Sequence, residues 1–372
     1  MFKFVRCKRC LIPTTRPDTD FVDGVCSACH SHDREKLVDW GTRKAELLEL
    51  LQRARGAGGY DCVVASSGGK DSMSIVLRLM DLGVRPLVVT ASTCMLTAIG
   101  RHNIECLKRY ATTIEVSPNT KVRAILNREA LRLVGDISWP EHVSIFTTPF
   151  RVAHDLGIKL VFYGENPQNQ YGGPAGTETA NEMTRRWVSE LGGFLGLRPA
   201  DFIGIQGIKR RDMLDYTFPD EESIAAKGTE AHFFGYYVGP WDSHANAVRS
   251  LQSGAKYQLP TRANWWVHDK QDNAFHGIHD YFMFLKYGYG RASAQLSVDI
   301  RNGIIDRSHA LNFAKKQDGL FPSTYQGVMI DQMLSQISMS RGAFIAACND
   351  FMNREIFEDA RVTWGEDLFL KE

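Results

Sequence analysis

No run of 18 apolar residues occurs anywhere in the chain, so no membrane-spanning helix is expected. The opening residues, MFKFVRCKRCLIP, lack the apolar stretch of a secretory leader, which predicts a soluble, cytoplasmic protein. There is no low-complexity segment and no internal repeat. Neither sign of charge dominates: 44 Lys and Arg stand against 43 Asp and Glu, a formal net charge of +1. This predicts no polyelectrolyte partner by bulk attraction, with local basic patches left open, and nucleic acid is not an expected partner. Cysteine is scarce after the first 29 residues, and no C-x2-C pair follows Cys29. What remains is a chain of 372 residues, long enough for two or more domains with a sizeable core.

Four of the eight cysteines, Cys7, Cys10, Cys26 and Cys29, spell C-x2-C-x15-C-x2-C. This is the spacing of a tetrahedral zinc site built from two knuckles, with the intervening residues folding back as a ribbon. Pro17, Asp18, Asp23 and Gly24 supply turn formers for the return. With every position taken by cysteine, none is left for water, so a zinc ion here is expected to be structural. His30 and His32 are expected to be bystanders. Cys62, Cys94, Cys106 and Cys348 read as buried small hydrophobes or inert thiols.

Past the ribbon the pattern changes. TRKAELLELLQRARG has leucines at helical spacing and is expected to end at Gly56. Four short apolar runs follow: DCVVAS, RPLVVTAS, TTIEVS and KLVFYG. Helical stretches separate them, including one expected over residues 142–156. Strands alternating with helices predict an α/β fold, a doubly wound parallel sheet whose ligands collect beyond the carboxyl ends of the strands. From about residue 200 the chain reads as mostly helical, in DSHANAVRSLQ, RSHALNFAKKQ and SRGAFIAACNDFMNREIF. The expected organisation is a zinc ribbon over 1–40, an α/β domain over 41–200 and a mostly helical region over 201–372.

Between the first strand and its helix lies SSGGKD. Free backbone N–H groups and the helix dipole make such a junction attractive to an anion. Gly68 and Gly69 allow close backbone approach, Ser67 and Ser72 add hydroxyls, Lys70 adds charge, and Asp71 is a ligand for magnesium. A Walker A loop would need glycine at position 64 and serine or threonine at 71, where Val64 and Asp71 stand. A G-x-G-x-x-G fingerprint is also missing. The stretch instead resembles the pyrophosphatase (PP-) loop, S-G-G-x-D-S. Enzymes with that loop hold the β and γ phosphates of ATP while an oxygen nucleophile attacks the α phosphate.

Glu165 and Asn166 follow the fourth strand and face the same crevice, as ligands for nucleotide, metal or substrate or simply as a turn before Pro167. GGPAGTE downstream reads as a mobile loop. Trp265 and Trp266 either stack on a sugar or base or pack internally. In HGIHDYFMFLKYGYGRAS, His276, His279 and Asp280 share a helical face. The break at Gly288 and Gly290 groups Lys286, Tyr287, Tyr289 and Arg291, cations and tyrosines suited to a diphosphate and a sugar. A metal site from His276 and His279 would need ligands that the sequence does not identify.

Taken together, the four-cysteine ribbon, SGGKDS, YGEN and HDYFMFLKYGYGRA resemble the N-acetyl sugar amidotransferases, of the WbpG type found in O-antigen lipopolysaccharide synthesis, over nearly the whole chain. The resemblance implies a PP-loop, adenine nucleotide α-hydrolase-like fold. It also implies that ATP adenylates the acetamido oxygen of a UDP-linked N-acetyl sugar and that ammonia displaces AMP to give an acetamidino sugar. On this reading Ser67, Gly68, Gly69 and Ser72 bind pyrophosphate, Lys70 offsets charge on the phosphates, and Asp71 binds Mg2+. Thr90 and Ser92 meet the adenosine, Glu165 and Asn166 orient the acetamido group or its magnesium, and Lys286, Tyr287, Tyr289 and Arg291 hold the sugar nucleotide.

Ammonia is expected to come from separate glutaminase and cyclase-like subunits resembling those of histidine biosynthesis. None of the four scattered cysteines sits on an elbow or beside a glycine-rich oxyanion loop. Two rivals share the loop: a tRNA-modifying sulfur-transfer enzyme and a non-catalytic nucleotide-binding regulator. The first needs a basic surface and commonly a reactive cysteine pair, neither of which composition supplies. An intact loop weighs against the second.

Overall fold

A computed structural model describes residues 4–55, 59–174, 176–258 and 262–370. The amino-terminal unit pairs β1 (Phe21–Val22) with β2 (Val25–Cys26) and runs into α1 (Ser27–Glu35). Asp39 then caps α2 (Trp40–Ala54), its carboxylate accepting from the N–H groups of Gly41 and Thr42. The expected end of this helix at Gly56 lies outside the described residues.

The α/β unit follows: β3 (Cys62–Ala65), α3 (Lys70–Asp81), β4 (Pro86–Ala91), α4 (Ala98–Leu107), β5 (Thr113–Val116), α5 (Thr120–Val134), α6 (Trp139–Leu156) and β6 (Leu160–Tyr163). After the short helices α7 (Pro167–Tyr171), α8 (Arg185–Leu191) and α9 (Glu221–Lys227) comes β7 (Glu230–Phe233). The sheet is parallel throughout, in the order β5-β4-β3-β6-β7. The chain winds outward from β3 to β5, then returns to β3's other side, so the topological switch point lies between β3 and β6. A ligand crevice is expected at that point.

Successive strand residues point to opposite faces, and both faces are covered. Val63, Leu87, Val89 and Val161 pack under α5 and α6 against Leu126, Trp139, Val143 and Phe150. Val64, Val88, Leu160 and Phe162 face Leu47, Leu50 and Leu51 of α2 and Ile75, Val76 and Leu79 of α3. This double cover explains why the strands read as continuous apolar runs rather than as an alternation.

Two expectations need correction here. The sheet has five strands, and β7 lies beyond residue 200, in the stretch read as helical, so the α/β unit does not end there. β7 is a four-residue edge strand whose aromatic string EAHFFGYY carries no alternation. The last helix, α15 (Arg341–Phe351), stops six residues before the end of the stretch read as helical.

Beyond β7, α10 (Ser243–Gln252) packs on α3, and α11 (His276–Tyr287), α12 (Arg291–Arg301), α13 (Arg307–Gln317), α14 (Ile330–Gln336) and α15 build the carboxy-terminal part. Its core joins Phe282, Phe284, Phe321 and Phe344. The break between α11 and α12 falls where expected, with Gly288 left-handed at φ +73°. The amino-terminal unit is docked on this part. Arg307 donates to the carbonyls of Cys10 (3.1 Å) and Cys7 (3.0 Å), and the Leu11 N–H donates to the Ser297 hydroxyl (3.1 Å). No helix among the described residues is long and apolar enough to cross a membrane.

Candidate active site

β3 ends at Ala65, and the loop Ser66–Gly69 turns the chain into α3. Gly68 takes φ +82°, and a Cβ there would stand 2.8 Å from Ile104 Cγ1 and 3.0 Å from the Ile104 amide nitrogen. Only glycine fits both the conformation and the space. Ser66 fixes the turn: its hydroxyl accepts from the Gly68 N–H (3.0 Å) and donates to Ser72 Oγ (2.9 Å), which donates to the Gly69 carbonyl (3.0 Å). Ser66 was not among the expected site residues; the doubled serine in SSGGKD was its only sequence signal. Gly68→Ala is expected to cost about 1–3 kcal/mol, read as a lowered denaturant midpoint.

A cavity of about 280 Å3 opens over this loop, lined by Ser67 to Ser72, by Ala91 at the end of β4 and by Glu165 after β6. Its opposite wall, His268 to Asp272, comes from the carboxy-terminal part. Leu96 and Thr97 hold that wall in place: Leu96 bridges to Asn273, and the Thr97 N–H donates to the Asp272 carbonyl (3.0 Å).

Charge is concentrated in the cavity. Lys70, buried at its base, reaches Asp71 at 2.6 Å and Asp269 at 3.8 Å. Burial opposes its charge, but Asp71, Asp269 and Glu165 together hold it above the usual lysine range. Asn246 on α10 donates to the other Asp71 oxygen at 2.9 Å. Burial, then the Asp71 charge, pushes Glu165 up to about 7. Asp269 is held low by Lys70, against the effect of burial. Three carboxylates around one ammonium leave an excess of hard oxygen donors, which fits Mg2+.

The remaining expected residues are placed as follows. Ser67, Gly68, Gly69, Lys70, Asp71 and Ser72 come together as expected. Thr90 and Ser92 do not reach the cavity. The period of two along β4 turns Ala91 into it and its neighbours away, with Thr90 almost fully buried and the Ser92 carbonyl accepting from Arg123 (3.0 Å). Glu165 is in the cavity, but Asn166 caps α7, its Oδ1 accepting from the Gln168 N–H (3.0 Å) and its Nδ2 donating to the Thr177 carbonyl (2.7 Å).

Lys286, Tyr287, Tyr289 and Arg291 do not line this cavity. The Arg291 guanidinium is spent on Asp280, with a shortest contact of 2.7 Å. Lys286 donates to the Val134 carbonyl (3.3 Å), and both tyrosines pack against the cysteine cluster. The grouping seen in sequence is therefore an internal junction between α11, α12 and the amino-terminal unit.

His276 and His279 also part company. His276 meets Asp272 (3.4 Å), whereas His279 Nδ1 meets Asp136 (2.8 Å), beside His142. Trp265 and Trp266 both donate to Asp299 Oδ2, at 2.6 and 2.9 Å, and so pack internally. GGPAGTE is tied down in part, since the Gly173 carbonyl accepts from the Ser27 hydroxyl (3.1 Å). Ala175 within it lies outside the described residues. The residues that the sequence reading missed, Ser66, Asn246, His268 and Asp269, come from outside the loop motif, three of them from the carboxy-terminal half.

The four amino-terminal cysteines are buried, with all four Sγ atoms within 4.8 Å of one another. Cys7–Cys29 measures 3.9 Å and Cys10–Cys26 3.5 Å. Four thiolates about 2.3 Å from a tetrahedral ion stand about 3.8 Å apart, so the donors fit zinc. The Cys26 N–H also points at Cys7 Sγ (3.3 Å).

The fold and cavity thus define an α/β protein with a glycine-rich strand–loop–helix opening on a charged cavity at the switch point of a parallel sheet. Residues 256–368 match the family described as "LPS biosynthesis protein WbpG-like, C-terminal domain". The matched stretch includes the wall from His268 to Asp272, and it supports the WbpG-type resemblance. Among solved structures, the chain is similar to an NMN synthetase from Francisella tularensis, at 14% identity. That match covers 60% of this chain and 99% of the other, with a TM-score of 0.28, too weak a likeness to rest a conclusion on. No curated protein matches.

Proposed function

We propose that this chain is an AMP-forming, ATP-dependent amidotransferase that converts the acetamido group of a nucleotide-linked N-acetyl sugar into an acetamidino group, in lipopolysaccharide synthesis. The observation that carries the reading is the S-G-G-x-D-S loop at the floor of a cavity whose far wall belongs to the WbpG-like domain. In that arrangement the α3 amino terminus and Lys70 receive the β and γ phosphates. Asp71, with Glu165 and Asp269 close by, would hold Mg2+, which offsets phosphate charge when bound.

An amide carbonyl resists ammonia because its oxygen leaves poorly. The acetamido oxygen attacks the α phosphorus and pyrophosphate departs, leaving the oxygen bonded to AMP. Ammonia then adds to the imidate carbon, the C–O bond breaks, and AMP leaves. Glu165, with its pKa near neutrality, takes the proton that ammonia sheds. At a fixed concentration of free ammonia, turnover should therefore rise with pH through about 7 and level off once Glu165 is ionised. Glu165→Gln should flatten that limb of the profile; an unchanged limb would remove Glu165 from the role.

The products distinguish this reading from its rivals. With ATP, Mg2+, ammonium and a UDP-acetamido sugar, the purified chain should yield AMP and pyrophosphate; ADP and phosphate would exclude adenylation. The cysteine cluster holds one structural zinc per chain on this account. Cys7→Ser and Cys26→Ser should each lower metal content, measured by elemental analysis, and lower stability, because so small a unit has little core of its own. Ammonia is delivered by separate glutaminase and cyclase-like subunits.

A further inference from the structure

A second cavity shares one wall with the first. Glu165 lines both, and beyond it the lining passes to α1, α2, α7 and the residues that follow β7. The first cavity lies over the carboxyl ends of β3, β4 and β6, while the second lies over those of β6 and β7. Its remaining wall is Ser31, Arg34 and Glu35 of α1 with Trp40 and Arg43 of α2. A parallel sheet offers ligand space along the carboxyl ends of its strands, and here that space is divided in two at a buried carboxylate.

The second lining has its own chemistry. Trp40, Tyr236 and Trp241 give aromatic faces, and the Arg43 guanidinium lies 3.4 Å from the centre of the Tyr236 ring. Arg34, which donates to the Ser31 hydroxyl (3.1 Å), and Arg43, which pairs with Glu46 (3.5 Å), bring positive charge beside the carboxylate of Glu35, and Asn169 and Gln170 supply amides. The indole N–H of Trp241 is buried without an acceptor, although buried donors are ordinarily paired. Gly235 stands between the two sites: a Cβ there would lie 3.1 Å from the Trp241 ring and 3.2 Å from Glu165 Cα. Stacking faces, two guanidinium groups and amides suit a nucleoside diphosphate sugar, with its base or sugar on the rings, its diphosphate on the arginines and its hydroxyls on the amides.

We infer that this second cavity binds the nucleotide-linked sugar, which reaches past Glu165 to the α phosphate of an ATP held over the loop. The inference rests on the proposed amidotransferase reading and adds to it the place of the acceptor. It replaces the Lys286–Arg291 cluster in that role. It also gives the cysteine unit a function, since α1, which begins directly after Cys26, forms part of the acceptor's wall.

The test uses the full zinc-loaded chain and calorimetric titration with two probes, UDP-N-acetylglucosamine and α,β-methylene-ATP. Arg43→Ala and, separately, Asn169→Ala should weaken the UDP-sugar by tenfold or more and leave the ATP analogue within twofold, which also certifies the fold. If both variants bind the UDP-sugar as the wild type does, the placement is wrong. A tenfold loss of the ATP analogue instead would assign the cavity to adenosine and overturn the inference. If the wild type binds the ATP analogue but not the UDP-sugar, the amidotransferase reading itself fails, and the acceptor site with it.

Discussion

Asp71→Asn is expected to abolish AMP formation while the protein still folds. Asp71 lies in the first turn of α3, where its carboxylate contacts Lys70 at 2.6 Å and accepts from Asn246 at 2.9 Å. An asparagine keeps the volume and can still accept from Asn246. It removes the negative charge that would hold Mg2+ and that keeps Lys70 fixed at the cavity base. Lys70 retains Asp269 at 3.8 Å, so the buried ammonium is not left without a counter-charge and the fold should survive. The fall in turnover should be on the order of a thousandfold, equivalent to about 4 kcal/mol of transition-state stabilisation. Thermal unfolding and far-ultraviolet circular dichroism of the variant would establish that the loss is chemical. Retention of more than a tenth of the wild-type rate would contradict the role given to Asp71.

The second large effect concerns the nitrogen source. Making ammonia from glutamine needs a nucleophilic thiolate with a base beside it. Burial pushes the thiols of Cys62, Cys106 and Cys348 up, and it holds Cys94 at about 12 with the Glu141 charge adding to the effect. The Cys106 thiol donates to the Ser253 carbonyl, and the amino-terminal four face one another. Ammonium should therefore support amidine formation by the purified chain, and glutamine should not until a glutaminase is supplied. Equal turnover with glutamine alone would mean that one of these thiols is a nucleophile.

The parts of this molecule that were legible in its sequence are those written in contiguous residues. DCVVAS, SSGGKD and DSMSIVLRLM follow one another, so the strand, the loop and the helix amino terminus could be placed without tertiary information. The cysteine pairs were legible for the same reason, since each C-x2-C brings two thiols together locally. What the sequence concealed is carried by tertiary contacts. Asp269 and Asn246 lie some 175 to 200 residues from the loop, and only the docking of the carboxy-terminal part brings them to it.

The reverse error has a related cause. Lys286, Tyr287, Tyr289 and Arg291 look like a ligand set because a cation in a sequence shows no partner, yet Asp280 takes up Arg291 across the helix break. Thr90 and Ser92 stand at a strand end, but the pleat presents Ala91 between them. Strand-end position alone does not tell which side of the pleat faces the ligand.

The central claim is that the acetamido oxygen becomes bonded to AMP. The most direct measurement uses a UDP-acetamido sugar carrying oxygen-18 in its acetamido carbonyl, with ATP, Mg2+ and ammonium, followed by mass spectrometry of the released AMP. The account predicts one labelled oxygen in the phosphate of each AMP formed, with one amidine and one pyrophosphate beside it. Unlabelled AMP, with the label appearing in water or in inorganic phosphate, would contradict it.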